Sequence, residues 1–259
     1  MTRRVVVTGA GGGIGAALAR RFAADGAEVI VSDLDPAAAA AVASEIGGLA
    51  VPGDAANEDD TRRLIETAWA ELGGIDLFCS NAGVLTAGDE NTPDAAWTRD
   101  FSVNVLSHVY VTRHLLPRWL DQGSPKRLLV TVSAAGLLSI LGSASYAVTK
   151  HGALAFAEWL RATYAHRGLI VQALCPQGVR TDMLTRSTER DSASVAMLAD
   201  GALEPAEVAA VAAKAVEGDT FLVLPHPEVA DYYKLRATDP DRWLGGMNKI
   251  QRGFEEGRR

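Results

Sequence analysis

Cysteine is nearly absent from this chain. Its 259 residues include two, Cys79 and Cys175. They lie far apart and form no CxxC pair, which excludes a disulfide scaffold and predicts free thiols in a reducing compartment, the cytoplasm. Positive charge is also scarce. Lys and Arg number 25 against 32 Asp and Glu, for a formal net charge of −7. A general nucleic-acid binder needs a basic surface to displace counterions from phosphates, so no nucleic-acid partner is expected. No apolar run reaches the roughly 20 residues of a transmembrane helix, so no membrane partner is expected either. Arg3-Arg4 and the apolar run after them imitate a signal peptide, but the five glycines among residues 9–15 argue against one. The histidines, His108, His114, His151, His166 and His226, show no HExxH-like spacing, so no metal is expected.

What is present is an ordinary globular composition, with 48% apolar and 22% charged residues. A chain of this length can bury about three quarters of its unfolded surface. Apolar runs alternate with helical spacings from end to end. Strands are predicted at 4–8, 28–33, 49–53, 75–80, 127–133, 169–175 and 221–224. They are nearly continuous in apolar character, as parallel strands covered on both faces are. Between them Ile14, Leu18 and Phe22 recur every four residues, and Leu64, Ile65, Ala68, Trp69 and Leu72 form one helical stripe. Pro36 opens an alanine-rich helix, and Pro93 and Pro117 bracket a long helical stretch through Trp97, Phe101, Val105 and Val109. The alternation implies βαβ units. The expectation is an α/β fold: a single-domain Rossmann fold over residues 1–259, with a doubly wound, mostly parallel seven-stranded sheet and helices on both faces. Two stretches break the pattern. Residues 182–203 read as a substrate lid. Residues 225–259 read as a C-terminal extension whose aromatics predict packing against something.

The first strand ends in Thr8-Gly9-Ala10-Gly11-Gly12-Gly13-Ile14-Gly15, and a helix follows at once. Glycine lets the backbone turn tightly and approach a pyrophosphate. The helix N-terminus then offers unpaired N–H groups to the anion. This is the context a dinucleotide fingerprint requires, with Gly9, Gly13, Ile14 and Gly15 as contacts. Asp33 ends the second strand, 18 residues past Gly15. A carboxylate there accepts hydrogen bonds from the adenosine ribose hydroxyls and repels a 2′-phosphate. With Leu34 beside it, and with Gly12 where a phosphate reader would carry a basic side chain, it points to NAD.

Tyr146 and Lys150 are four residues apart on a predicted helix, so they share a face. A phenol is a poor acid or base at neutral pH, and a nearby ammonium favours its phenolate. The pair therefore suits proton transfer. Ser133 lies 13 residues upstream, at the C-terminal end of a strand, where open α/β sheets bind ligands. The G-x-S-x-G elbow of a hydrolase nucleophile is absent around it.

With these residues in order, the chain resembles the short-chain dehydrogenase/reductase family over nearly its whole length. The match rests on the turn from Thr8 to Gly15, Asp54, Asn81-Ala82-Gly83, Asn104, Ser133, Tyr146 and Lys150. The resemblance implies that Tyr146 exchanges a proton with the substrate oxygen while hydride passes to or from the nicotinamide. It implies that Lys150 lowers the Tyr146 pKa and holds the nicotinamide ribose, that Ser133 positions the substrate oxygen, and that Asn104 anchors a water chain beyond Lys150. Asp54 and Ala55 are implied at the adenine, and Asn81, Ala82 and Gly83 beside the cofactor.

The chain also departs from the family. After the sixth strand it reads Pro176-Gln177-Gly178-Val179-Arg180-Thr181, where relatives have Pro-Gly. Pro176, Val179 and Thr181 keep their places, so the resemblance still implies nicotinamide carboxamide binding by Thr181, and Gln177 adds a polar group that faces the substrate or is solvated or backbone-bonded. The usual glycine-rich ending is replaced by Pro225-His226-Pro227 and the long tail. That puts a tetramer in doubt and favours a homodimer, with the tail over the substrate mouth of its own or a partner subunit. Leu85, Leu138, Leu141, Met183 and Leu184 suggest an apolar substrate pocket. The sequence thus reads as an NAD-dependent oxidoreductase interconverting a secondary alcohol and its ketone. Its rivals are a ketone or imine reductase and a low-turnover NAD-binding sensor or scaffold.

Overall fold

The computed structural model describes residues 2–122, 125–188 and 201–256. Seven strands, β1 (Arg4–Thr8), β2 (Glu28–Ser32), β3 (Leu49–Ala50), β4 (Leu77–Ser80), β5 (Lys126–Thr131), β6 (Leu169–Leu174) and β7 (Leu222–Val223), form one sheet. Their order is β3-β2-β1-β4-β5-β6-β7, and every pairing is parallel. The valine-rich strands sort their side chains by parity. Val5 and Val7 face a core shared with α1 (Gly13–Ala24), α2 (Pro36–Ile46) and α8 (Pro205–Ala215). Val6 faces the core shared with α3 (Glu58–Leu72), α5 (Ser107–Asp121) and α6 (Ala144–Tyr164). Phe78 and Leu128 lie in the second core and are fully buried, each burial stabilising by about 2 kcal/mol. This is the doubly wound Rossmann arrangement. Chain direction across the sheet reverses between β1 and β4, so a crevice opens at their C-terminal ends.

Local chemistry sets the element ends. Asp35 caps α2 by accepting from the Ala37 and Ala38 N–H groups, with Pro36 in the first turn. Asn57 caps α3, and Gly73 closes it in the left-handed region. Two expectations need correction. The third strand stops at Ala50 rather than residue 53; single bonds from Val51 N–H to Val31 O and from Gly53 N–H to Asp33 O carry the edge onward, and Pro52, between them, directs its N–H-less nitrogen to the open edge. Pro117 does not end its helix. α5 runs through it to Asp121, and the lost turn bond is offset by buried Trp119, whose Nε1 donates to the Ile75 carbonyl at 2.8 Å.

At the sheet end away from the crevice, Asp76 gathers cations. Arg4 donates to both its oxygens, and buried Lys126 donates to Oδ1 at 2.9 Å. Partial burial alone would raise the Asp76 pKa, but these partners hold it well below the usual carboxylate range.

The tail folds back on the chain. Helix α9 (Glu228–Thr238) buries Val229 and packs Tyr233 on the second core, and the Arg236 guanidinium donates to the Leu137 carbonyl. Helix α10 (Pro240–Glu256) adds Trp243. Of the expected lid, α7 (Asp182–Thr188) is seen, and Leu203 returns to bridge Val179. Residues 189–200 lie outside the described residues. Among the described residues, no helix is long and apolar enough to cross a membrane.

Candidate active site

A cleft of about 710 Å³ follows the crevice from the glycine turn to α7. At one end lies the turn itself. Gly9 has φ +61° and abuts Ala82, and a Cβ on Gly15 would stand 2.0 Å from the Gly9 carbonyl oxygen. Only glycine permits this approach of α1 to the strand end. The first-turn N–H groups of α1 have no acceptor within the helix and open on the cleft. Asp33 is locked beside them, its Oδ2 accepting from Gly11 N–H at 2.8 Å and its Oδ1 from Asp35 N–H at 3.0 Å. Leu34 is 71% exposed on the same rim. Asn81 knits the strand ends together: its Nδ2 donates to Thr8 O at 3.0 Å, and Thr131 Oγ1 donates to its Oδ1 at 2.9 Å. An anion-ready helix end facing a fixed carboxylate across a glycine turn fits a dinucleotide.

At the other end, α6 presents Tyr146 and Lys150 one turn apart, both buried. Lys150 Nζ lies 5.6 Å from the Tyr146 ring centre and donates to the Thr131 carbonyl at 3.0 Å. Burial pushes its pKa down to about 8. Burial also raises the Tyr146 phenol, against which a hydrogen bond from Ser133 works. The expected lowering by Lys150 does not offset this burial in the chain by itself; its ammonium donates to the Thr131 backbone carbonyl. Cys175 is buried, its thiol pushed up to about 12, and is no nucleophile.

Ser133 sits just past β5 at φ 123° and ψ 154°, a region that side chains other than glycine rarely enter. The reason is local. Val132 and Ser133 N–H groups both donate to the Leu174 carbonyl, so the chain must swing out of the sheet at this residue. Its Oγ then accepts from Ala135 N–H at 3.1 Å and reaches the Pro176 carbonyl at 3.4 Å.

Asn104 lies behind the cleft wall rather than on it. The helix expected through it is interrupted: α4 (Asp94–Phe101) passes into a π turn, Ser102–Leu106, before α5. The amide of Ser107 accordingly reaches five residues back to Ser102 O. Asn104 Oδ1 accepts from Val84 N–H at 2.9 Å, and Nδ2 donates to Val84 O and Thr149 Oγ1. A Cβ on Gly83 would stand 3.3 Å from Asn104 Oδ1 and 3.4 Å from Lys150 Nζ, so a bare glycine separates the two.

Gly13, Ile14, Asp54, Ala55, Gly83, Pro176, Val179 and Thr181 also line the cleft. Of the residues expected at the substrate, Leu85, Gln177, Met183 and Leu184 line it, whereas Leu138 is buried in the second core and Leu141 lies off the wall. Ile140 and Arg99 line it instead. Ser139, at φ 86°, turns the loop so that Ile140 faces the cleft, and sequence adjacency carries no signal of that turn. Arg99 comes from α4, brought in by buried Asp100, which also accepts from Thr86 and Ser145. No described residue of the tail lines the cleft.

The model of the short chain dehydrogenase family matches residues 3–192. The chain belongs to the short-chain dehydrogenase family. It is an enzyme, an oxidoreductase. Among short-chain dehydrogenases, a 1-deoxy-11-beta-hydroxypentalenate dehydrogenase of Streptomyces exfoliatus is 36% identical over 93% of this chain and 89% of that protein. A cyclohexanol dehydrogenase of an Acinetobacter species is 30% identical over 87% and 92%. Among solved structures, a short-chain dehydrogenase/reductase of Burkholderia phymatum in complex with NAD superposes with a TM-score of 0.86, at 25% identity over 93% of this chain and 94% of that one.

Proposed function

We propose that this short-chain dehydrogenase interconverts a secondary alcohol and its ketone with NAD, using Tyr146 as the acid and base. The observation that carries the reading is one cleft joining the Asp33 carboxylate and glycine turn to Ser133, Tyr146 and Lys150. NAD, when bound, supplies the hydride acceptor. The Ser133 hydroxyl bonds the substrate oxygen and fixes it beside Tyr146. Tyr146 takes the hydroxyl proton as the C–H bond gives up its electron pair, and returns a proton in the reverse direction. The Lys150 ammonium stabilises the phenolate that Tyr146 needs to act as a base, and Asn104 holds the wall behind it through Val84 and Thr149. Asp33, with glycine at position 12 where a phosphate reader would carry a basic side chain, supports NAD over NADP. Leu85, Ile140, Met183 and Leu184 give the substrate end an apolar lining, with Gln177 as a polar contact, which supports a hydrophobic alcohol like those named for the relatives. We read the chain as one catalytic and cofactor-binding domain. Its exposed Phe101, Val148 and Trp159 support self-association, and its buried free cysteines support a cytoplasmic location.

The test is NADH formation across a panel of secondary alcohols, with Tyr146→Phe beside the parent. The parent is expected to turn over and the variant to lose at least about a hundredfold in kcat, with NAD affinity kept. Equal turnover by the variant overturns the role of Tyr146. A silent parent that binds NAD tightly favours the sensor reading.

A further inference from the structure

We propose that His226 is a positioning residue: it clamps the Pro176–Gln177 peptide, and that peptide seats Ser133. The inference rests on the catalytic reading of Ser133 above. The peptide unit is held on both sides. Its carbonyl accepts from Ala134 N–H at 2.8 Å and lies 3.4 Å from Ser133 Oγ. Its N–H, that of Gln177, donates to His226 Nδ1 at 3.1 Å. A peptide is planar, so fixing its N–H fixes the direction of its carbonyl, and hence the acceptor that the Ser133 loop relies on.

His226 is built to hold still. It stands between Pro225 and Pro227, whose rings restrict the chain on either side. Its own carbonyl accepts from Val229 N–H at 3.2 Å, tying it to the first turn of α9. The side chain is buried. Because Nδ1 accepts, the neutral ring carries its hydrogen on Nε2, and Nε2 is buried with no partner among the described residues. A buried donor left unpaired carries a free-energy cost, so the ring's orientation is not explained by the satisfaction of its own groups. It is explained by the Gln177 bond. The result is a lateral stitch across the exits of three neighbouring strands: Ser133 after β5, Pro176 and Gln177 after β6, and His226 after β7. The middle exit lines the cleft beside Ser133. Ser133 needs such support, because its backbone conformation is unfavourable for a residue with a side chain.

The experiment compares full-length parent, His226→Asn, His226→Gln and His226→Leu. Asn places an acceptor at the Nδ1 position; Gln places it one bond further out; Leu has none. Three quantities are read: amide hydrogen exchange at Gln177, NAD affinity, and kcat against KM on a substrate from the alcohol panel. The expectation is that His226→Leu and His226→Gln speed Gln177 exchange and lower kcat by roughly ten- to a hundredfold, with NAD affinity within about twofold, whereas His226→Asn restores both. Unchanged Gln177 exchange in His226→Leu overturns the clamp, as does failure of His226→Asn to restore it. Faster exchange with kcat unchanged overturns the link to Ser133. If His226→Leu fails to fold, the contrast between Asn and Gln decides. If the parent itself turns over nothing, the catalytic reading falls and with it the link to Ser133, while the exchange readout still decides the clamp.

Discussion

Asp33 Oδ2 accepts from the Gly11 N–H at 2.8 Å, so the carboxylate read as a ribose ligand is also a strut of the glycine turn. The two roles separate by substitution. Asp33→Asn keeps an oxygen for Gly11 and removes the charge. It is expected to raise the ratio of kcat/KM for NADP over NAD by about tenfold or more. Asp33→Ala also frees the turn and should weaken both cofactors. Steady-state kinetics with each cofactor checks this; a parent that already prefers NADP would overturn the NAD assignment.

Ser133 provides a test of stored strain. At φ 123° and ψ 154°, serine sits where glycine alone is comfortable. Ser133→Gly should therefore be more stable than Ser133→Ala by about 1–3 kcal/mol, read from denaturant midpoints. Both should lose turnover, since both lack the hydroxyl. Equal stability of the two variants would show that the backbone there is unstrained.

Lys150 predicts a pH-dependent stability difference. Its pKa falls from the ordinary 10.5 to about 8 through burial. Above about pH 10.5 the amine is neutral in both folded and unfolded chains. As pH falls from there to about 8, the unfolded chain takes up a proton that the folded one resists, and stability is lost, on the order of 3 kcal/mol in all. Below about 8 the loss is complete and constant. Lys150→Met escapes it, so its stability advantage over the parent should grow on going from pH 10.5 to 8 while turnover disappears. Thermal melts across that range measure it; a pH-independent difference would contradict it.

Asp76 predicts a loss of the same pH sense, but in the acid range, at the far end of the sheet. Its carboxyl is held below the usual 3.8 by Arg4 and Lys126. The stability it contributes is present above about pH 4 and lost as pH falls through the depressed folded value. Asp76→Ala leaves buried Lys126 unpaired and should cost about 3 kcal/mol at neutral pH, with the gap to the parent closing in acid. An unchanged gap at low pH would remove Asp76 as its source.

The sheet was legible because valine-rich strands and four-residue helical spacings are local patterns. The chemistry of the site was legible for a related reason. The residues from Thr8 to Gly15, and Tyr146 with Lys150, each lie within about two helical turns, so their spacing already sets their relative geometry. The long-range positions were less accessible. Leu138 and Ile140 are two residues apart and differ in whether they face the core or the cleft, because Ser139 turns the chain between them. The π turn at Asn104 has no local composition to announce it.

By itself, then, the sequence determined the alternation of elements, the parallel sheet and the identity of the groups gathered at its C-terminal edge. These follow from short-range periodicity and from the few residue types that can approach a phosphate or share a proton. Tertiary structure alone decided how distant segments meet. It decided that Asp33 braces Gly11, that Asp100 holds Arg99 at the cleft, and that the tail docks on the Ser133 loop through Arg236. It also decided that His226 reaches Gln177 across 49 residues of chain. Such contacts depend on which strand exits lie side by side, and strand order is settled by packing over the whole sheet, which no local window of residues contains.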